Sequence, residues 1–191
     1  MLVIVYKLYD RQRAVDYARR WAFGRNPLFY DFSGLGGNCT SFVSQCVLAG
    51  SCVMNFTRDF GWYYRSASDR APAWAGVEFF WQFMIGDPAF ARENGGVGPF
   101  GRQVTEEALE IGDVVQLQNS AGDFYHTLLV SGFDGETPLL AAHTIDALDR
   151  PLTDYRYAAA RFLHIDGVRL TVSGDDCFPA LIAGQALPTV P

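Results

Sequence analysis

The chain has 191 residues, 49% of them hydrophobic and 19% charged, enough to bury the core of one ordinary domain and too apolar for a disordered chain. Its 15 Lys and Arg against 21 Asp and Glu leave a net charge of −6, which argues against a phosphate-tracking nucleic-acid binder or a polybasic membrane patch. No apolar run approaches the ~18–20 residues a membrane span needs, so a soluble, acidic, aromatic-rich single domain over residues 1–191 is expected.

The apolar start, Met1 to Tyr6, is interrupted by Lys7 and Asp10-Arg11 and lacks the basic n-region of a signal peptide. Localisation therefore stays open: secreted or cell-wall associated if a leader was removed, otherwise cytoplasmic. From Arg11 to about Phe23, Ala14, Tyr17, Ala18, Trp21 and Ala22 recur at helical spacing, with Asp10 as N-cap and Gly24 and Asn26-Pro27 as the stop. An aromatic and then glycine-rich stretch, Phe29 to Gly37, leads to a second helix from Cys39 to Gly50. Asn38 is its expected N-cap, and Phe42, Val43, Cys46 and Val47 form its buried side. A third helix is expected from Val77 to Ile85. After Gly112 the pattern changes to strands, at Asp113 to Leu117, His126 to Phe133, Leu139 to Thr144 and Arg161 to Ile165. Helices first and strands second is the order of an α+β domain, with helices packed on an antiparallel sheet. The core covers about residues 9–167, and the tail, 168–191, has no clear assignment.

Cys39 follows Gly36-Gly37-Asn38 and opens a helix, where unpaired amides and the helix dipole favour a thiolate. The glycines leave room for a substrate backbone beside the sulfur. The alternative is an ordinary buried cysteine, which is the reading for Cys46, Cys52 and Cys177. No C-x-x-C pair suggests structural zinc, and a chain this long and apolar does not require a disulfide frame. A thiol nucleophile needs a base, and there are three histidines. If Asp134-Gly135 forms a two-residue hairpin turn, His126 and His143 lie directly opposite on one face of the sheet, and a one-residue slip would separate them. One Cys and two His could also hold a metal, but no carboxylate completes the set, so no metal is expected. His164 reads as outward-facing or structural. The favoured set is Cys39, His126 and His143.

At this point the residues resemble a known family. Arg13-Ala14-Val15-Asp16-Tyr17-Ala18, Trp21-Ala22, Asn26-Pro27, Tyr30, Phe32 and the run Gly36 to Cys46 are together similar to the putative amidase domain family of NlpC/P60-like, papain-related cysteine hydrolases. Gly112 to Val115, His126, Leu140 to Thr144, Gly61 to Tyr64, Trp74 and Val77 extend the resemblance to roughly Tyr9 to Ile165. It implies a papain-like fold with Cys39 as nucleophile, His126 as base and then acid, and His143 orienting His126. Tyr30 would help hold the oxyanion, its other reading being an aromatic core residue, with Asn38, Trp62 and Tyr64 near the substrate. Trp62, Tyr63, Tyr64, Trp74, Trp81 and Phe124 are the aromatics from which a cleft could be lined, most of them core on numbers alone. The family usually has Asp-Cys-Thr-Asn where this chain has Asn38-Cys39-Thr40-Ser41; Asn caps a helix as Asp does.

The implied chemistry is amide hydrolysis through a thioester, started by a Cys39–His126 ion pair and needing no cofactor. Cell-wall peptides are the expected substrate, with no nucleic acid as partner and a monomer as the simplest state. Three other readings share these residues: an acyltransferase, a catalytically silent peptide- or wall-binding module, and a toxin-like effector.

Overall fold

The computed structural model describes residues 3–93 and 95–191; Met1 and Leu2 of the apolar start lie outside them. An antiparallel sheet of seven strands carries helices on one face, the α+β class expected. The strands are β1 (Val5–Lys7), β2 (Gly98–Val104), β3 (Val114–Gln118), β4 (Phe124–Asp134), β5 (Thr137–Ala142), β6 (Ala147–Pro151) and β7 (Ala159–Leu170). They run in the order β1-β7-β3-β4-β5-β6, with β2 also on β7. Residues 168 and 169 pair with both β1 and β2, and residues 162 and 163 with both β2 and β3. β1 and β3 therefore lie end to end along one edge of β7, and β2 along the other.

The long helices follow the apolar periodicity. α1 (Arg11–Trp21) starts where the Asp10 carboxylate accepts from the Arg13 N–H, and it buries Ala14, Tyr17, Ala18 and Trp21. α2 (Cys39–Ser51) is buried on all sides. Its polar residues are tolerated because each finds a partner. The Ser44 hydroxyl donates to the Trp74 carbonyl at 2.8 Å, and the Tyr17 hydroxyl donates to Gln45 Oε1 at 2.7 Å. A short α3 (Pro72–Ala75) precedes α4 (Val77–Ile85), which has the expected bounds. α5 (Pro88–Glu93) and α6 (Phe178–Ala183) complete the set, the latter ordering part of the tail.

The sheet is covered on both faces near its centre, as strand alternation dictates. Val114, Leu129, Ala141 and Leu163 pack with the helices, while Val115, Leu128, Val130 and Leu140 form a second apolar cluster with Leu152.

Two expectations are corrected here. Cys52 and Cys177 form a disulfide across 125 residues, which ties the tail to the end of α2. An ample core did not make a crosslink superfluous, because the segment before α6 has little secondary structure of its own. The β4–β5 register also differs. Asp134 pairs with Thr137, so Gly135-Glu136 make the turn, and a bulge at Ser131 then shifts the pairing to Leu129 with Ala141. The Ser131 hydroxyl reaches Asp149 Oδ1 at 2.7 Å, a contact that accompanies the bulge. Continued two residues further, that register sets residue 143 opposite 127, not 126.

Candidate active site

Cys39 sits at the first turn of α2 and is 7% exposed. The approach to it is set by Gly36 and Gly37, both in the left-handed region with φ of 103° and 123°. Such angles are costly for residues with a Cβ, and a Cβ on Gly37 would also stand 3.1 Å from Thr144 Oγ1. Thr144 itself has φ of 87°, an unusual value for a β-branched residue. Its hydroxyl accepts from the Asn38 N–H at 2.9 Å, which fixes the entry to α2.

Cys39 opens onto a cavity of about 410 Å³, and His126 lies on the same wall system. The other walls include Thr144, Arg150, Tyr155 and Arg156. Tyr125 stacks near the His126 ring at 6.0 Å between centroids, and Tyr155 lies 6.3 Å away on a tilt. Burial, helped by the charge of Arg150, lowers His126 to about 4. Its imidazole is therefore neutral at physiological pH, contrary to the resting ion pair expected. A neutral ring can act as a proton acceptor toward a group in the same cavity.

His143 is in a different place. Its ring stacks on Phe42 of α2 at 3.8 Å, facing the helices. The Asn38 side-chain amide donates to Nδ1 at 2.9 Å, and Nε2–H donates to the Trp21 carbonyl at 2.9 Å. These two bonds assign the proton to Nε2, and burial lowers this histidine also to about 4. Among the described residues no hydrogen bond joins His143 to His126, and the altered register explains why. Asn38 is also not the side-chain cap expected: its Oδ1 accepts from the Phe32 N–H at 3.1 Å while its amide serves His143. Arg25 lies over this pair, held by both oxygens of Asp146 at 3.0 Å and by Asp31 at 3.1 Å.

The remaining expected residues do not line the cavity. Trp62 is fully buried, its indole N–H donating to Ser44 Oγ at 3.0 Å, so it is core. Tyr64 packs on Phe29 and Trp74, and its hydroxyl accepts from the Tyr30 N–H. Tyr30 packs edge-on to Phe32, on the side of Asn38 and His143. Tyr63, Trp74 and Trp81 are buried in the main core, and Phe124 lies under the Arg161 guanidinium. His164 makes a structural bond, Nδ1 lying 2.9 Å from the fully buried Asp113 carboxylate that Arg11 also holds. Cys46 is fully buried within α2. Among the described residues, no three His, Cys, Asp or Glu groups converge as for a metal, and no helix is long and apolar enough to cross a membrane. Sequence reasoning missed Tyr125, Thr144, Arg150, Tyr155 and Arg156 as cavity residues. The last three sit around an unremarkable Pro151 loop, with no spacing to mark them.

The protein is thus of the α+β class, with a thiol at a helix start and a histidine of the adjoining sheet lining one cavity. Residues 8–165 match the putative amidase domain family, and the chain belongs to it. It is also similar to the uncharacterized protein YhbB of Bacillus subtilis (strain 168), 33% identical over 143 residues. That alignment covers 73% of this chain and 42% of the relative, so the chain spans less than half of that protein's length. No solved structure matches.

Proposed function

We propose that the protein is a cysteine-dependent amide hydrolase in which Cys39 and His126 act as a dyad on a papain-like, NlpC/P60-type scaffold. The observation that carries this reading is the cavity shared by the α2 thiol and the neutral His126. Membership of an amidase family supports it. His126 accepts the thiol proton as Sγ attacks the amide carbonyl, and the amides at the start of α2 stabilise the oxyanion. The C–N bond then breaks, the amine leaving with the proton from His126. Water adds to the thioester, again giving a proton to His126, and the C–S bond breaks to release the acid and the thiol. His143 serves this dyad indirectly, holding Asn38 and with it the first turn of α2. Peptides of the bacterial cell wall are the proposed substrates, and export is the proposed setting. The Cys52–Cys177 bond favours export because disulfides persist in oxidising compartments.

The test is hydrolysis of peptidoglycan fragments by the wild type, Cys39→Ala and His126→Ala, followed by release of new amines. Loss of roughly 10³-fold or more in both variants is expected, the scale on which removing a catalytic group acts. Equal activity in the wild type and Cys39→Ala would overturn the reading. Trapping the thioester with hydroxylamine separates hydrolysis from the use of another amine as acceptor.

A further inference from the structure

A row of polar side chains crosses three strands on the helix-covered face of the sheet, where apolar residues are otherwise the rule. Arg161 of β7 pairs with Gln116 of β3, and Gln116 with Thr127 of β4. They stand two residues along their strands from Leu163, Val114 and Leu129, so strand alternation turns the row toward the helices. Gln116 and Thr127 are fully buried, and Thr40 of α2, next to Cys39, is 1% exposed.

The hydrogen bonds of this row run in one direction. The Arg161 guanidinium is clamped first. It lies 4.2 Å over the Trp81 ring and 3.7 Å over Phe124, and its Nη1 and Nη2 donate to the two oxygens of Glu78 at 3.1 and 2.8 Å. Its Nε donates to Gln116 Oε1 at 2.8 Å. An arginine has nothing but donors, so the Gln116 oxygen must face it and the amide nitrogen must face away. That nitrogen donates to the Val77 carbonyl at 2.9 Å and to Thr127 Oγ1 at 3.1 Å. Thr127 thus accepts on one side, and its own O–H is left for Thr40 Oγ1, 2.9 Å away on the other. Among the described residues the Thr127 hydroxyl has no other partner, and a buried hydroxyl normally donates. Thr40, accepting from Thr127, keeps its proton for the Cys39 sulfur at 3.8 Å.

We propose that Arg161, Gln116 and Thr127 are positioning residues that aim the Thr40 hydroxyl proton at the Cys39 sulfur, and that Thr40 is a catalytic residue stabilising the thiolate as the thiol proton leaves for His126. The proposal rests on the Cys39–His126 reading and names the protein group that meets the charge developing on sulfur. A hydroxyl free to turn either way would donate to sulfur only part of the time; a neighbour that always donates removes the choice. An O–H donor is worth more to a thiolate than to a thiol, so the contact favours ionisation. The other titratable and charged groups around the thiol are Tyr125 and His126 of β4, Arg150 of β6, and Asp154, Tyr155 and Arg156 beyond it.

The test is the pH dependence of iodoacetamide alkylation at Cys39 of the folded protein, read site by site by mass spectrometry. The thiolate displaces iodide, the S–C bond forming as the C–I bond breaks, so the rate follows the ionised fraction. Thr40→Val fills the same space without a donor and should move the midpoint of the rate upward by about one pH unit, a tenfold change in the ionised fraction. Thr40→Ser restores the hydroxyl and should bring the midpoint back to that of the wild type. Gln116→Glu tests the direction of the chain. Its carboxylate accepts from Arg161 and from Thr127 alike, so Thr127 turns toward it and Thr40 turns from the sulfur to Thr127. The midpoint should then rise, although among the described residues Gln116 makes no hydrogen bond to Cys39. The same change made on top of Thr40→Val should add nothing. A rise of equal size on both backgrounds would mean that the new charge acts through space, and would overturn the proposal. So would an unmoved midpoint in Thr40→Val, or a serine variant that behaves like the valine one. These outcomes leave the dyad standing, because His126→Ala is read in the same assay. A rate at Cys39 indifferent to His126 counts against the dyad itself, and the role of Thr40 falls with it.

Discussion

On the proposed dyad, His126 sets the pH range in which the site works. Its imidazole must be neutral to accept the thiol proton, and burial and Arg150 hold it at about 4 against an ordinary histidine near 6.5. The acid limb of kcat/KM should accordingly rise through about 4, and Arg150→Met should move it upward by removing a repelling charge. An acid limb at 6.5 or above would contradict the environment described for this ring. Asn38 offers a second test. Its amide donates to His143 Nδ1, and Asn38→Asp would set a carboxylate against the same nitrogen, stabilising the imidazolium. The His143 ring, titrated by NMR, should then move up from about 4; no change would mean that the two side chains do not meet. That Gly36, Cys39 and His126 line one cavity was within reach of the sequence, because chemistry restricts which residues can stand before a helix-start thiol, and there were three histidines to choose from. The role of His143 was not, since it depended on one residue of register. The places of Tyr155 and Arg150 on the cavity wall were not legible either, since they depend on how the segment after Pro151 folds back on the sheet.

Among the elements, α1, α2 and α4 follow from apolar spacing and caps, and α4 has its expected bounds, Val77–Ile85. β2 was invisible because Gly98-Pro99-Phe100-Gly101 carries three poor strand formers in four residues. It forms because β7 supplies a full set of pairing partners along it. The hairpin shows how fine the limit is. Asp134-Gly135 is a strong turn signal, yet the turn forms one residue later and the Ser131 bulge offsets one strand. Those two steps leave residue 143 facing α2 and His126 facing the cavity. The disulfide was missed because nothing in the sequence places Cys177 against Cys52. Closing a loop of 125 residues should stabilise the fold by about 5 kcal/mol on chain-entropy grounds. Cys52→Ser with Cys177→Ser should therefore lower the urea midpoint markedly, and unreduced denatured protein should present two thiols, Cys39 and Cys46, to a thiol reagent. Four thiols would contradict the crosslink.

The molecule as a whole keeps two histidines neutral inside it, and its stability must respond to acid. Both are held at about 4, below the value near 6.5 of an unfolded chain. Between those values the unfolded state binds more protons, so stability falls as the pH drops through this window. The loss is on the order of 3 kcal/mol for each ring at most. Thermal melts should show it between about pH 6.5 and 4, less steeply in His143→Asn, and a flat profile would count against burial of these rings. On the proposed mechanism the same burial serves function: the apolar cluster on the second face of the sheet and the loop after Pro151 shield His126 from water, while Cys39 of α2 lines the same cavity. The most direct measurement of the central claim is iodoacetamide labelling of native protein, read cysteine by cysteine by mass spectrometry in the wild type and His126→Ala. The account predicts that Cys39 is modified, that Cys46 and the disulfide-bonded pair are spared, and that the variant reacts several-fold more slowly. Labelling of Cys39 no faster than that of Cys46, or a rate indifferent to His126, would contradict it.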